Sequence, residues 1–156
     1  MLENMNFPTE FFTCSATETE SVGQQLAHMI RSDSSIPRFI ALFGDLGVGK
    51  TAFVRGFTSV FVPNAKVKSP TFALVNEYKP QDPKLPAVFH FDMYRITDED
   101  ELYSIGFYDY LSRNGICLVE WSENIEYALP DERIAVSIEK CSADDPDRRR
   151  IIIGKH

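Results

Sequence analysis

Residues 38–51 read RFIALFGDLGVGKT: an apolar run, then a glycine-rich turn closed by Lys50 and Thr51. The second half fits the pattern G-x-x-x-x-G-K-[ST], and an amphipathic stretch follows it. Gly44, Gly47 and Gly49 let the backbone fold back on itself, so that successive N–H groups converge on an anion. A helix starting at about Lys50 points its positive dipole end at the same spot. Asp45, Leu46, Gly47, Val48 and Gly49 form the loop, and Lys50, Thr51 and Ala52 open the helix; together they are the expected nucleotide-binding run. Lys50 is suited to the β- and γ-phosphates, and the Thr51 hydroxyl to Mg²⁺, a cation that prefers hard oxygen ligands. A nucleoside triphosphate site is the reading.

Outward from this loop, strands and helices interleave. Residues 9–15 read as a short strand. Thr17 with Glu20 makes a capping-box pattern, after which Val22, Leu26, Met29 and Ile30 recur at helical spacing. Phe53, Val54, Phe57, Val60 and Phe61 mark one face of the helix after the loop, which ends before Pro63. Residues 72–78 and 87–94 are strand-like, and the Pro-rich KPQDPKLP between them suggests a hairpin. Thr97 with Asp100 caps an acidic helix running to about Ser112. Residues 116–121 form another apolar strand, residues 133–140 alternate, and a strand RIII follows the polar turn SADDPDR. The expected architecture is a three-layer α/β P-loop NTPase domain with a mixed, mostly parallel sheet, one domain over residues 1–156.

At 156 residues such a domain buries about two-thirds of its surface. A net charge of −7 disfavours independent nucleic-acid binding, whose electrostatic footprint is basic. There is no apolar run near membrane-spanning length and no basic-then-apolar leader, so cytoplasmic residence without a membrane is expected. Cys14, Cys117 and Cys141 are far apart, which argues against zinc or a disulfide framework and for buried thiols.

A P-loop needs an acid for the metal. Glu120 closes ICLVE and Asp92 closes VFHFD, both at strand C-terminal ends, the rim where α/β sheets bind ligands. Glu120 is the better metal acid because its strand is purely apolar and hence central; a structural hydrogen bond is the plainer use of such an acid. Thr71, in SPTF (residues 69–72), has a hydroxyl that could sense γ-phosphate or simply open a strand. His90 alternates with Asp92 and could orient it, although a strand histidine is more often structural. Trp121 fits packing, with a place at the rim. Arg148, Arg149 and Arg150 could touch adenine or phosphate, or guard a solvated strand edge.

Taken in order, GDLGVGKT, KSPTFALVNEY, HFDMYR, DELYSIGFYDYL and LVEWSE resemble the bacterial TsaE family, the ATPase subunit of the tRNA threonylcarbamoyladenosine machinery. The likeness runs from about Thr13 to Ile153, and SPTF, HxDxYR and the Glu–Trp pair carry its specificity. It implies ATP and Mg²⁺ as cofactors, with Lys50 on phosphate and Thr51 and Glu120 on the metal. It also implies Asp92 as an essential acid, Trp121 near the nucleotide, and further contacts at Ala16 and Arg149. Protein partners resembling TsaB and TsaD are implied, with the threonylcarbamoyl group going to adenosine 37 of ANN-decoding tRNAs and tRNA met only through the complex. Val22–Gly23 for a usual Leu–Gly, Ala73 for a hydroxyl residue and Ser122 for a frequent Pro are its mild departures.

Two other classes use the same loop. A small-molecule kinase needs an acceptor pocket and an Arg-bearing lid, for which the chain is short. A GTPase needs a guanine-reading N-K-x-D; the nearest run, NAKV at Asn64, lacks the acid. The expected activity is a weak ATPase that depends on its partners.

Overall fold

The computed structural model describes residues 6–70 and 73–156. Its strands are β1 (Thr9–Thr13), β2 (Phe39–Phe43), β3 (Val75–Tyr78), β4 (Val88–Asp92), β5 (Ile116–Glu120), β6 (Ile134–Ser142) and β7 (Asp145–Lys155). They form one sheet in the order β1-β7-β6-β2-β5-β4-β3. The β6–β2, β2–β5 and β5–β4 pairs are parallel, whereas β3 and β7 run against their neighbours. The sheet is thus mixed and mostly parallel, as the interleaved pattern implied.

The central strands are apolar along their length because both faces are covered. On β2, Ile40 and Leu42 face one helical layer, while Phe39 and Ala41 face the other. The first layer is α1 (Ala16–Ser32) and α2 (Lys50–Phe61), which bring Leu26, Phe53 and Phe57 onto the sheet. The second is α3 (Glu99–Ser104), α4 (Phe107–Ser112) and a 3₁₀ segment (Ser122–Ala128), which bury Leu102, Phe107 and Ile125. None of the described helices is long and apolar enough to cross a membrane.

Two glycines set how α2 lies against α1. A Cβ on Gly56 would stand 2.0 Å from the Glu20 carbonyl oxygen, and one on Gly23 would stand 2.3 Å from that of Phe53. The helix backbones therefore touch, and the P-loop at the head of α2 is anchored by a contact that no side chain could replace.

Local chemistry moves several expected boundaries. The cap of α1 is Ser15, whose Oγ accepts from the Glu18 N–H at 3.1 Å; Glu18 returns its carboxylate to the Cys14 N–H. Glu20 is instead engaged with Arg55 at 3.0 Å. Asp98, not Thr97, caps α3 by accepting from the Glu101 N–H, and Thr97 donates its hydroxyl to the Glu101 carboxylate. The acidic helix is interrupted at Gly106, whose φ of 76° ends α3 and opens α4. Strand β3 begins only at Val75, because Leu74 adopts a φ of 63°.

The polar stretch SADDPDR is mostly strand. Only residues 143–144 turn, helped by Ser142 Oγ accepting from the Asp144 N–H at 3.0 Å. Buried thiols hold for Cys117 alone; Cys14 and Cys141 are exposed. Cys14 follows the buried Thr13 and so alternates outward, and Cys141 lies on the β6–β7 hairpin beyond the helical cover.

Candidate functional site

The loop between β2 and α2 is built to leave donors free. Gly49 takes a φ of 110° and stands where a capping side chain would be, and no side chain caps α2. The first amides of that helix are left for an oxyanion. Gly47, at φ 78°, turns the loop back toward the helix axis.

Lys50 is 5% exposed. Its Nζ donates to the carbonyl of Gly44 and stands 3.6 Å from the centre of the Trp121 ring. Burial holds the ammonium below its usual range, opposed by the carboxylates of Glu123, Glu120, Asp92 and Asp45. A cation so surrounded, with few donors satisfied, has capacity left for an anion.

Glu120 and Asp92 end neighbouring parallel strands and are paired in register. Glu120 is buried; its oxygens lie 3.3 and 3.4 Å from the Thr51 hydroxyl, and Oε2 is 2.5 Å from His90 Nε2. His90 is fully buried, and its Nδ1 has no partner among the described residues. The ring therefore serves Glu120, not Asp92, because side chains two positions apart on adjacent strands meet diagonally. Asp92 accepts from the Ser69 hydroxyl and from the Tyr94 N–H, both at 3.0 Å.

The strand ends are fixed from behind. Met93 N–H donates to the Glu120 carbonyl at 3.0 Å, and Asn124 Nδ2 donates to the Met93 carbonyl at 2.9 Å. Trp121 and Leu74 are the described non-glycine residues with left-handed φ, 60° and 63°, and both line the same cavity. Such backbone costs about 1–3 kcal/mol per residue and is retained where surroundings fix a functional geometry. Here it turns the Trp121 ring onto Lys50 and against Tyr94, centre to centre 5.0 Å.

Two cavities meet at Gly47 and Gly49. The larger, about 550 Å³, is lined by Leu46, Lys50, Thr51, Asp92, Glu120 and Trp121, with Ser69, Tyr94 and Arg95. The other, about 440 Å³, gathers Ala16, Val48, Ala52 and Arg149 with Ser15 and Thr19. Arg149 is tied into it by Nε donating to the Val48 carbonyl at 2.9 Å. Its neighbours turn elsewhere: Arg150 bridges Glu10 and Glu139, and Arg148 lies over Phe12. Asp45 lies on the outer side of the loop, in a third hollow with Glu123. Thr71 falls outside the described residues.

Sequence reasoning passed over two contributors, Ser69 and Glu123. Ser69 opens the SPTF run, two residues before Thr71, and Glu123 ends LVEWSE. Glu123 Oε2 accepts from the Gly44 N–H at 3.3 Å and so braces the loop's first residue.

Among the described residues, no three of His, Cys, Asp and Glu cluster to hold a cation unaided. A hydroxyl and one carboxylate, Thr51 and Glu120, beside a phosphate-shaped cradle fit Mg²⁺, which takes one or two protein oxygens and completes its shell from phosphate and water. The arrangement offers an anion seat, a cation's oxygen ligands and a second acid one strand away.

Comparison with known proteins gives the chain's family and fold. The family model described as threonylcarbamoyl adenosine biosynthesis protein TsaE matches residues 13–151. The tRNA threonylcarbamoyladenosine biosynthesis protein TsaE of Bacillus subtilis is 39% identical over 115 residues, 74% of this chain and 70% of that protein. The Haemophilus influenzae protein of that name is 42% identical over 64% of this chain and 61% of its own length. That of Rickettsia conorii is 34% identical over 91% of this chain and 76% of its own. The crystal structure of Bacillus subtilis YdiB superimposes with a TM-score of 0.68 at 28% identity, covering 99% of this chain and 90% of the other. Matched across nearly all its length, in sequence and in fold, the chain belongs to the TsaE family of tRNA threonylcarbamoyladenosine biosynthesis.

Proposed function

We propose that the chain binds ATP with Mg²⁺ and hydrolyses it to ADP and phosphate as a subunit of the machinery that forms threonylcarbamoyladenosine at position 37 of ANN-decoding tRNAs. The observation that carries this reading is the convergence of the α2 amides, Lys50, Thr51, Glu120 and Asp92 on one cavity. Lys50 would leave the Gly44 carbonyl for the β- and γ-phosphates, and the α2 amides would take phosphate oxygens. Thr51 and Glu120 would hold Mg²⁺, which when bound neutralises charge on the phosphate oxygens. Asp92, steadied by Ser69 and Tyr94, would orient the attacking water and accept its hydrogen bond. The smaller cavity, with Ala16, Ala52 and Arg149, would take the nucleoside.

The described residues that reach the larger cavity include one arginine, Arg95, while Arg55 is held by Glu20. A transition-state clamp completed in trans is worth about 10³–10⁵ in rate. We therefore assign the trigger to a protein pair of the TsaB and TsaD type. The test is ATP turnover of the purified chain, alone and with that pair, with labelled γ-phosphate followed into water or into small acceptors. Slow turnover alone and acceleration by the pair support the reading. Equal rates, or phosphate appearing on an acceptor, sink it.

A further inference from the structure

The charge of this chain is concentrated in one stretch. Residues 92–127 hold nine carboxylates against two arginines, so this segment alone accounts for the chain's net charge of −7. Asp92 and Glu120 belong to the cavity; the other seven carboxylates lie on or at the start of α3, α4 and the 3₁₀ segment, whose buried residues pack on the same side of the sheet.

That surface also displays aromatic rings. Tyr94, Tyr103 and Tyr127 are 57%, 64% and 57% exposed. Tyr103 stacks on Tyr108 with ring centres 4.8 Å apart, and the Tyr108 hydroxyl donates to Glu99 at 3.0 Å. The Tyr127 hydroxyl is held above its ordinary range by burial first and then by Glu99, Asp98 and Glu101, which places the 3₁₀ segment beside α3. Tyr94 lines the larger cavity, so the surface begins at its mouth. Tyrosine offers a large contact area at little conformational cost and is enriched at protein interfaces. The carboxylates around the rings fix the sign of the partner: a polyanion is repelled, and a basic protein surface is attracted and steered.

We propose that the face bearing Tyr103, Tyr108 and Tyr127 docks a basic surface of a protein partner beside the mouth of the phosphate cavity. Docking here brings the partner's cations to the cavity where the chain has few of its own. The inference rests on the partner-dependent reading above.

The experiment measures the affinity of the full chain for purified TsaB- and TsaD-type proteins from the same organism, at low and high salt. The variants are Tyr103→Ser with Tyr127→Ser, Glu99→Lys with Glu126→Lys, and Phe12→Ser as an exposed aromatic on the remote edge strand. Affinity for a fluorescent ATP analogue and thermal melting verify that each variant is folded and still binds nucleotide. Expected is a loss of tenfold or more for both double variants, no change for Phe12→Ser, and weaker binding of the unaltered chain at high salt. Unchanged affinity in both double variants overturns the face while leaving the partner reading intact. If the unaltered chain does not bind the pair, the partner reading falls and this face with it. Retention of tRNA by the unaltered chain, abolished in the tyrosine variant, overturns the proposal in favour of a nucleic acid.

Discussion

His90 Nε2 lies 2.5 Å from Glu120 Oε2, between two side chains with almost no solvent exposure. An ionised carboxylate only accepts, so against it Nε2 is the donor, while Nδ1 has no partner among the described residues. The contact turns the carboxylate toward Thr51. We expect His90→Phe to cost about 1–3 kcal/mol, the price of leaving Glu120 buried without its donor. His90→Gln, whose amide reaches a similar point, keeps most of that stability. Melting curves give the cost, and magnesium titration of nucleotide binding separates it from packing. A rise in the magnesium requirement for Phe but not Gln is expected; equal magnesium dependence of the two would reduce His90 to a filler.

Gly56→Ala tests the backbone contact between α1 and α2. Alanine gains roughly 1 kcal/mol of helix propensity over glycine. Its Cβ would stand 2.0 Å from the Glu20 carbonyl oxygen, and a backbone atom cannot rotate away. Overpacking of about 3 kcal/mol therefore outweighs propensity. The variant should melt several degrees lower and bind nucleotide more weakly, because α2 carries Lys50 and Thr51. A higher melting temperature would show that propensity wins.

The sequence makes the site's ends legible and its supports obscure. GDLGVGKT has local chemistry, so spacing alone places Lys50 and Thr51, and the purity of ICLVE identifies β5 as central. The approach of Glu120 to Thr51 depends on β2 and β5 being neighbours, which follows from the doubly covered pattern. His90 gave a weaker signal: on one strand it alternates with Asp92, and only pairing with the next strand delivers it to Glu120. The gathering of Ala16 and Arg149 rests on contacts across the whole chain, and no local pattern encodes it. Helix starts slipped by one or two residues because Ser15 and Asp98 competed with neighbours of equal capping chemistry.

Lys50 is held below its usual range by burial. With the folded value under the unfolded one, the unfolded chain binds more protons in the window below 10.5, and stability rises with pH there. At neutral pH the folded state bears the cost of an enclosed ammonium. Lys50→Met should accordingly melt no lower than the unaltered chain, while losing a charge-assisted phosphate contact of about 1.5–3 kcal/mol, or 10- to 150-fold in ATP affinity. Melting curves and ATP titration of the same sample check both halves.

Cys117 is pushed up to about 12 by burial, from an ordinary value of 9.0. The folded state keeps the proton that the unfolded thiol releases, so this group's contribution is whole below pH 9 and is lost as pH rises toward 12. Cys117→Ala should flatten the fall of melting temperature between pH 8.5 and about 10.5. In the unaltered chain a thiol reagent should label Cys14 and Cys141 at once and Cys117 only on unfolding. Rapid labelling of all three would contradict the buried position.

Glu120→Gln and Asp92→Asn divide the two acids. Both are isosteric, so a difference between them reports charge. Glu120 faces the Thr51 hydroxyl, and an amide oxygen is a poorer ligand for a hard cation. Its loss should weaken nucleotide binding with Mg²⁺ present and leave binding in EDTA nearly unchanged. Asp92 ends β4, which lies one strand farther than β5 from β2, the strand that leads into the loop before Thr51, and it is held by Ser69 and Tyr94, so its neutralisation should spare both affinities and lower turnover by about 10²–10⁴-fold, the range for a positioned proton acceptor. Ser69→Ala should follow Asp92→Asn in direction with a smaller loss, because it removes one of two bonds that aim the carboxylate. ATP affinity with and without magnesium, measured beside single-turnover hydrolysis in the presence of the partner pair, separates these outcomes. Identical profiles for the two acid variants would show that the carboxylates act as one group, and the assignment of metal to one and water to the other would have to be abandoned.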